Sequence, residues 1–302
     1  MQKQQLDRPP ILITRPPEFD AYVAPAKDTA QLWRTLFGTV LTIATLLAVA
    51  LSLELTGIWA GLFPTDGSDV DLNSRAALTV ELLGFGGAII GLWGVLCFVH
   101  NRDFSSLIGP KGPAKRHFII AAGVVFVVNG TWALVSAALF GGFIANNPLG
   151  TVLLFLSVGA ILLLIQTGAE EFLFRGYLMQ QLAARFKSPV IWFILPSVIF
   201  GVIHYDPASM GAMVWPIIGA LTLSGLVWAD LVRVTGNIGA AWGWHFMNNF
   251  LLLNFATMQG SMTGFAWKVT AFGPDELTIW HVVPEYVLTL LIWAILRRLL
   301  RT

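Results

Sequence analysis

The feature that most constrains this chain is a series of long apolar segments separated by short polar ones. A helix needs about 20 mostly apolar residues to cross a bilayer. Eight candidate spans lie at 35–60, 77–99, 118–143, 151–172, 190–205, 211–230, 238–256 and 279–296. Only 12% of the 302 residues are charged, against about 25% in soluble domains. The sequence therefore predicts an all-α, polytopic membrane protein, a bundle of about eight transmembrane helices.

The basic residues are distributed unevenly between the predicted loops. Eight spans would place 16 of the 18 lysines and arginines on the side of the N-terminus, and only Arg75 and Lys268 on the other. Cytoplasmic loops of membrane proteins carry an excess of these residues. We therefore expect the N and C termini to be cytoplasmic. Short acidic outer loops and the absence of organelle signals favour a bacterial inner membrane.

The first 30 residues are polar and rich in proline, and they lack the early apolar core of an export signal. We expect residues 1–30 to form a flexible cytoplasmic tail and residues 31–302 to form a single transmembrane helical domain. The formal net charge of +1 gives no reason to expect a nucleic-acid partner. The predicted partner is the lipid bilayer.

Three charged residues interrupt the fourth apolar run, in the stretch QTGAEEFLFRGYL. Each charge costs a few kcal/mol at the centre of a bilayer. Glu171 and Arg175 are four residues apart, the spacing at which helical side chains meet, so we interpret them as a structural ion pair. Glu170 lies on a neighbouring face without an obvious local partner. This glutamate is therefore the first candidate for a functional role.

Two of the five histidines, His204 and His245, lie inside apolar segments. If the chain turns at Ser188 and Pro189, Glu170 and His204 are each 17 residues from Lys187, which predicts equal depth for both. Two others, His100 and His117, lie at span ends and are interpreted as interface residues.

The seventh segment carries a second polar pair. His245 and Asn249 are four residues apart and project from one helix face, with Asn248 as a weaker candidate for the same face. Phe200 lies one turn before His204, where it packs either beside the carboxylate or in the core. His245 lies about eight residues inside its predicted span, so we expect it at a shallower depth in the membrane than Glu170 and His204.

These side chains suit the hydrolysis of an amide bond. A carboxylate in a dry cavity can act as a general base near neutral pH. The histidines would either hold the attacking water or ligate a metal, and Glu170, His204 and His245 match a zinc site by type and number. The amide of Asn249 can donate a hydrogen bond to a developing oxyanion. The sequence does not require a metal or any other cofactor.

The same residues resemble a known family. EEFLFR (Glu170–Arg175) fits an EExxxR motif, FGVIH (Phe200–His204) fits FxxxH, and HFMNN (His245–Asn249) fits HxxxN. Together they resemble the CPBP intramembrane proteases, which include type II CAAX prenyl endopeptidases and bacteriocin-immunity proteins. The resemblance covers roughly residues 150–256, and we expect residues 149–256 to form the catalytic core.

The resemblance implies an eight-helix bundle and an endopeptidase that acts on membrane-associated substrates. Prenylated CAAX proteins are one class of substrate that it implies. It implies that Glu170 activates water, that His204 positions this water, and that His245 and Asn249 stabilise the oxyanion. It leaves open whether the enzyme is a glutamate-dependent hydrolase or a metalloendopeptidase. Supporting members of the site would be Glu171, Arg175 and Phe200.

Two alternatives remain open. A non-catalytic membrane scaffold or immunity protein would keep the same polar cluster without cleaving a substrate. An ion-coupled transporter would use intramembrane carboxylates and histidines to carry protons or ions. The sequence shows no repeated halves or paired broken helices of the kind that transporters use. A serine protease is disfavoured because no GxSxG turn occurs.

Overall fold

The structure is a computed structural model that describes residues 14–64 and 70–300. Helices dominate this part of the chain. They are α1 Pro17–Val23, α2 Leu32–Trp59, α3 Arg75–Val99, α4 Lys111–Leu139, α5 Leu149–Arg185, α6 Val190–Val202, α7 Val214–Thr235, α8 Gly239–Asn254 and α9 Ile279–Leu299.

All eight predicted spans coincide with helices, which confirms the all-α, polytopic membrane fold. Six helical segments of the described residues are long and apolar enough to cross a membrane; one of these comprises α7 and the short turns from Pro207 that lead into it. The other two predicted spans are the shorter helices α6 and α8, the latter of 16 residues.

Helix α5 is the longest element and carries the interrupted apolar run. It has 37 residues, so at about 1.5 Å per residue it exceeds the ~30 Å thickness of the hydrocarbon core. Its segment Phe172–Leu178 is a π-helical turn, in which the hydrogen bonds span five residues rather than four. This turn begins directly after Glu171 and changes the direction of the side chains that follow it.

The two ends of the bundle differ in what closes them. At one end, Arg15 donates to the carbonyl of Ala183 on α5 (2.8 Å). Glu18 and Leu300 line the same cavity of about 730 Å³ at that end, so segments near both termini lie together. At the other end, three short strands form a sheet in the order β1-β3-β2: β1 Phe143–Ala145, β2 Ala256–Thr257 and β3 Lys268–Thr270.

The region predicted as a flexible tail, residues 1–30, differs from that expectation in its second half. Residues 1–13 lie outside the described part, but Pro17–Val23 forms α1 and packs on the bundle. Phe19 and Val23 are fully buried, and the Phe19 ring lies 5.0 Å from that of Trp192. Proline content suggested a tail, but Pro17 occupies the first turn, where a helix tolerates proline.

Helix α8, which carries two candidate site residues, lies very close to α4. A Cβ atom built on Gly239 would clash with the Ala114 carbonyl oxygen, and one on Gly243 would clash with that of Phe118. Small residues at helix interfaces let backbones approach in membrane bundles. The two glycines, one turn apart, therefore fix the position of α8 against α4.

The interpretation of His100 and His117 as interface residues is wrong, because both side chains are buried. His100 has Thr29 Oγ1 at 2.9 Å from Nδ1 and the Tyr177 hydroxyl at 2.9 Å from Nε2. His117 pairs with Asn237 (3.1–3.2 Å). Hydrogen-bond partners from distant parts of the chain compensate for the burial of the two rings.

Candidate active site

Glu171 forms the centre of a buried polar cluster between α5 and α8. Its side chain is fully buried, and its Oε1 accepts hydrogen bonds from Arg175 Nη1 (2.9 Å) and from His245 Nδ1 (3.0 Å). The predicted Glu171–Arg175 ion pair is therefore present. The contact with His245 was not predicted, and it means that Glu171 also sets the orientation of the imidazole ring.

Glu170 has one oxygen paired and one open. Its Oε1 accepts a hydrogen bond from Gln166 Nε2 (2.7 Å). The expectation that Glu170 lacks a local partner is thus wrong, since Gln166 lies one helical turn earlier on the same face. Its Oε2 is buried, has no hydrogen-bond partner among the described residues, and lies 3.6 Å from His245 Nε2.

His245 and Asn249 project together from α8, as their spacing predicted. The Asn249 Nδ2 atom lies 3.0 Å from Gln166 Oε1 and 3.3 Å from His245 Nε2. Because the Glu171 carboxylate can only accept, the Nδ1 atom of His245 carries the proton of that hydrogen bond. The Nε2 atom then accepts from Asn249 (3.3 Å) and lies 3.6 Å from Glu170 Oε2.

Aromatic side chains enclose the charged groups of the cluster. The Trp228 ring on α7 stacks on His245, with centroids 4.5 Å apart and an interplanar angle of 23°. The Arg175 guanidinium lies over Phe200 (4.3 Å) and Trp228 (4.9 Å). Such contacts between a cation and a ring stabilise a desolvated arginine. Sequence reasoning missed Trp228, because a tryptophan in an apolar helix has no local signal that separates it from the core.

His204 is close to the cluster but is not bonded to it. Helix α6 ends at Val202, so His204 lies in the turn after it, not inside a helix as predicted. Pro207 keeps the helix from resuming at Asp206, since the residue before a proline is disfavoured in the helical conformation. The Nδ1 atom of His204 donates to the Phe200 carbonyl (2.7 Å), which leaves a lone pair on Nε2.

Phe200 connects the two histidines. It is almost fully buried; its ring centroid lies 5.0 Å from that of His204 and 6.0 Å from that of His245. Among residues 14–64 and 70–300, no hydrogen bond or ion pair joins His204 to Glu170 or Asn249. The structure therefore assembles Glu170, His245 and Asn249 directly and brings His204 near them only through Phe200.

The ligand set predicted for a metal is not assembled. Within the described ranges, no group of three His, Cys, Asp or Glu side chains is arranged so that it could hold a metal ion. Glu170 and His245 are adjacent, but His204, the third predicted ligand, makes its polar contact with the Phe200 backbone. The residues as placed do not fit a three-ligand zinc site.

Comparisons with known proteins confirm the resemblance to CAAX endopeptidases that the three motifs indicated. Residues 152–251 match the sequence model of a family described as Type II CAAX prenyl endopeptidase Rce1-like. The chain is also 30% identical over 186 residues to YyaK of Bacillus subtilis (strain 168), a protein described as uncharacterized. That alignment covers 59% of this chain and 60% of YyaK, so the chain spans less than two thirds of its relative. No solved structure matches the chain.

Proposed function

We propose that this protein is an intramembrane endopeptidase in which Glu170 activates a water molecule to hydrolyse a peptide bond. The observation that carries the proposal is the open Oε2 atom of Glu170, which is buried and lies 3.6 Å from His245 Nε2. A buried acceptor without a donor is costly unless a bound molecule supplies one. A water molecule there would be in position to lose a proton to the carboxylate. The match to a CAAX endopeptidase family supports this reaction class.

In the proposed reaction, the water oxygen attacks the carbonyl carbon of the scissile bond while its proton passes to Glu170. The carbonyl oxygen becomes an oxyanion. When the tetrahedral intermediate collapses, the C–N bond breaks and the leaving nitrogen takes the proton from Glu170. General acid–base catalysis of this kind contributes about 10²- to 10⁴-fold to a rate.

Asn249 and His245 are the proposed donors to the oxyanion. The Asn249 Nδ2 and His245 Nε2 atoms lie 3.3 Å apart, so a proton on Nε2 releases the N–H group of Asn249 that faced it, and both atoms are then able to donate to one oxyanion. His245 donates from Nε2 when the ring carries a proton on both nitrogens, and the Glu171 carboxylate accepts its Nδ1–H (3.0 Å) and orients the ring. Arg175 and the rings of Phe200 and Trp228 hold Glu171 and His245 in place.

His204 is proposed to orient the attacking water. Its Nδ1 proton is engaged by the Phe200 carbonyl, so its Nε2 lone pair is free to accept a hydrogen bond from water. This role needs no direct contact between His204 and Glu170. The metal site predicted from the sequence, with Glu170, His204 and His245 as ligands of a divalent cation such as zinc, would require His204 to turn away from the Phe200 carbonyl, and a chelator tests it.

The proposed substrate is a membrane-associated protein or peptide, with a prenylated C-terminal CAAX sequence as the first class to test. The decisive experiment incubates the purified, detergent-solubilised full chain with a prenylated CAAX reporter peptide and with the same peptide lacking the prenyl group. We expect cleavage of the prenylated peptide. Cleavage of both would assign the endopeptidase activity without the lipid requirement.

Glu170→Gln keeps the shape of the side chain and removes the base, so we expect cleavage to fall by about 10³-fold with unchanged folding. Glu285→Gln is the matched control, because it makes the same change in α9, where Glu285 has no hydrogen bond or ion pair to the described residues of the cluster. Equal activity in wild type and Glu170→Gln would contradict the proposed base. A folded wild type that cleaves neither peptide would favour the non-catalytic scaffold.

We also propose that the protein lies in a bacterial inner membrane with both termini cytoplasmic. The support is the excess of basic residues on one side and the similarity to a bacterial protein. In a Cys97→Ala background, Asn146→Cys and Gly112→Cys would be labelled in intact cells with a maleimide that does not cross the inner membrane. Labelling of Asn146→Cys alone is expected, and labelling of Gly112→Cys alone would reverse the orientation.

A further inference from the structure

A chain of side-chain amides runs from the middle of α4 to the carboxylate of Glu170. Asn129 Nδ2 donates to Asn248 Oδ1 (2.9 Å), and Asn248 Nδ2 donates to Asn249 Oδ1 (3.4 Å). Asn249 Nδ2 donates to Gln166 Oε1 (3.0 Å), and Gln166 Nε2 donates to Glu170 Oε1 (2.7 Å). Four amides from α4, α8 and α5 are thus joined in one line.

Every amide in this chain points the same way, with its NH₂ group toward Glu170. The carboxylate imposes this order, because an ionised carboxylate can only accept. Gln166 must therefore present its NH₂ group to Glu170, which leaves its oxygen to accept from Asn249. The same reasoning passes along the chain to Asn248 and Asn129. Hydrogen bonds in such a line polarise and strengthen one another.

The orientation matters most at Asn249, whose amide can be turned either way at little cost in shape. Asn249 is held from both sides: Gln166 Oε1 accepts from its Nδ2 atom (3.0 Å), which also faces His245 (3.3 Å), and Asn248 donates to its Oδ1 atom (3.4 Å). In the opposite orientation, the Asn249 oxygen would face the oxygen of Gln166. An oxygen in that place could not donate to an oxyanion.

Asn129 is the remote end of the line and has no other polar contact in the part of the chain that the structure describes. Its Oδ1 atom is buried without a hydrogen-bond partner among the described residues. An amide in a membrane helix with a single hydrogen bond costs more than an apolar side chain of the same size. Its one bond, to Asn248, is therefore the feature that favours an asparagine at this position.

We propose that Asn129 and Asn248 are positioning residues, which act through Asn249 and Gln166 to keep the NH₂ group of Asn249 directed at the reacting carbonyl oxygen. This inference rests on the proposed endopeptidase function. It assigns a role in the reaction to α4, which lies outside the three sequence motifs. The role concerns the transition state, so it affects kcat more than KM.

The first test compares Asn129→Leu with wild type on the prenylated reporter. We expect kcat to fall about fivefold, the effect of one lost hydrogen bond, with KM unchanged. Thr131→Val is the matched control, since the Thr131 hydroxyl bonds only to the Val127 carbonyl of its own helix (2.7 Å). Its kcat should equal that of wild type. If Asn129→Leu does not fold, the smaller Asn129→Ala takes its place.

A double-mutant cycle separates positioning from plain packing. Gln166→Leu cuts the chain at its Glu170 end, so adding Asn129→Leu to this variant should change kcat by less than twofold. Independent, multiplying effects would overturn the proposal, as would a kcat for Asn129→Leu within twofold of wild type. The latter result leaves the proposed function intact, whereas a wild type without any cleavage contradicts the proposed function itself.

Discussion

The molecule contains two buried clusters in which a carboxylate pairs with an arginine of its own helix. In α5, Glu171 pairs with Arg175 four residues later (2.9 Å), and in α7, Asp230 pairs with Arg233 three residues later (2.7 Å). Both pairs follow helical spacing and look alike in the sequence. They differ in how fully their hydrogen-bonding capacity is used.

The Asp230 cluster is fully satisfied. Its Oδ1 accepts two hydrogen bonds from Arg233 (3.1 and 2.7 Å), and its Oδ2 accepts one from Trp293 (2.8 Å) and lies 3.4 Å from Arg297 Nε. Arg233 also donates to the Thr14 carbonyl (2.6 Å). The cluster therefore joins α7, α9 and the segment before α1, and its role is structural.

The cluster on α5 is left partly open. Among the residues that the structure describes, Glu170 Oε2, Glu171 Oε2 and Arg175 Nη2 are buried without a hydrogen-bond partner. Buried polar groups are nearly always paired, so three unpaired atoms on neighbouring charged side chains need an explanation, and a water or substrate bound at the candidate active site would supply one. The comparison teaches that unused hydrogen-bonding capacity, and not charge alone, distinguishes the candidate active site from a structural cluster.

The largest effect on stability is expected from Arg175→Leu. This change leaves the fully buried Glu171 without its counter-charge, which costs about 3–5 kcal/mol of unfolding free energy. Circular dichroism during thermal unfolding in detergent measures the loss. Arg185→Leu, at an exposed position of the same helix, is the control and should change stability by less than about 0.5 kcal/mol.

The double variant Glu171→Leu/Arg175→Leu sharpens this prediction. Replacing both members of a buried ion pair by apolar residues is often neutral for stability. We therefore expect the double variant to regain folding but not cleavage, because His245 loses the acceptor of its Nδ1 proton. Recovery of both properties would show that the cluster on α5 is as structural as the one on α7.

Asp230→Asn is expected to have the second largest effect, about 2 kcal/mol of lost stability, because it weakens contacts to Arg233 and Arg297. The kcat of the folded protein should stay at the wild-type value, in contrast to Glu170→Gln. The control is Asp103→Asn, at an exposed position. A large loss of kcat in folded Asp230→Asn protein would contradict the division between the two clusters.

The remaining prediction, similar in size to that for Asp230→Asn, concerns His100, a buried histidine whose ring nitrogens are both paired. Burial, with Arg102 and Arg34 adding to it, lowers the pKa of His100 from 6.5 to about 4. The unfolded chain therefore binds a proton that the folded chain refuses between these two values. The stability contribution is complete above pH 6.5 and is lost as the pH falls toward 4.

This loss amounts to about 2 kcal/mol between pH 7 and pH 5. The measurement is the thermal midpoint at both pH values for wild type and for His100→Gln, which retains polar groups but does not titrate. The variant should show the smaller difference between the two values. The same pH dependence in both proteins would show that another group is responsible.

Much of the fold was predictable, because a membrane span depends on the apolar character of about 20 consecutive residues. Apolar runs gave the eight helices, and the expected turn at Ser188 and Pro189 agrees with α5 ending at Arg185 and α6 beginning at Val190. Two predictions were wrong. The predicted tail contains α1, which tertiary contacts hold through the burial of Phe19, and α6 stops at Val202, so that His204 lies outside the helix.

The candidate site was predictable only in part. Helical spacing identified Glu171 with Arg175 and His245 with Asn249, since each pair lies on one helix. It did not identify Gln166, although this residue stands one turn from Glu170, because a glutamine in an apolar run gives no signal of its bonding partner. The stacking of Trp228 on His245 depends on the packing of α7 against α8, and no local sequence pattern predicts that packing.

The sequence by itself determined the eight long helical segments, which of their faces carry polar groups and which segments are able to lie in lipid. These properties depend on neighbours within about one or two turns. Only the tertiary structure decided which polar faces meet, that His204 stands apart, and which buried oxygen remains open. Those outcomes depend on how closely helices approach, and contacts as distant in sequence as that of Gly243 with Phe118 set this approach.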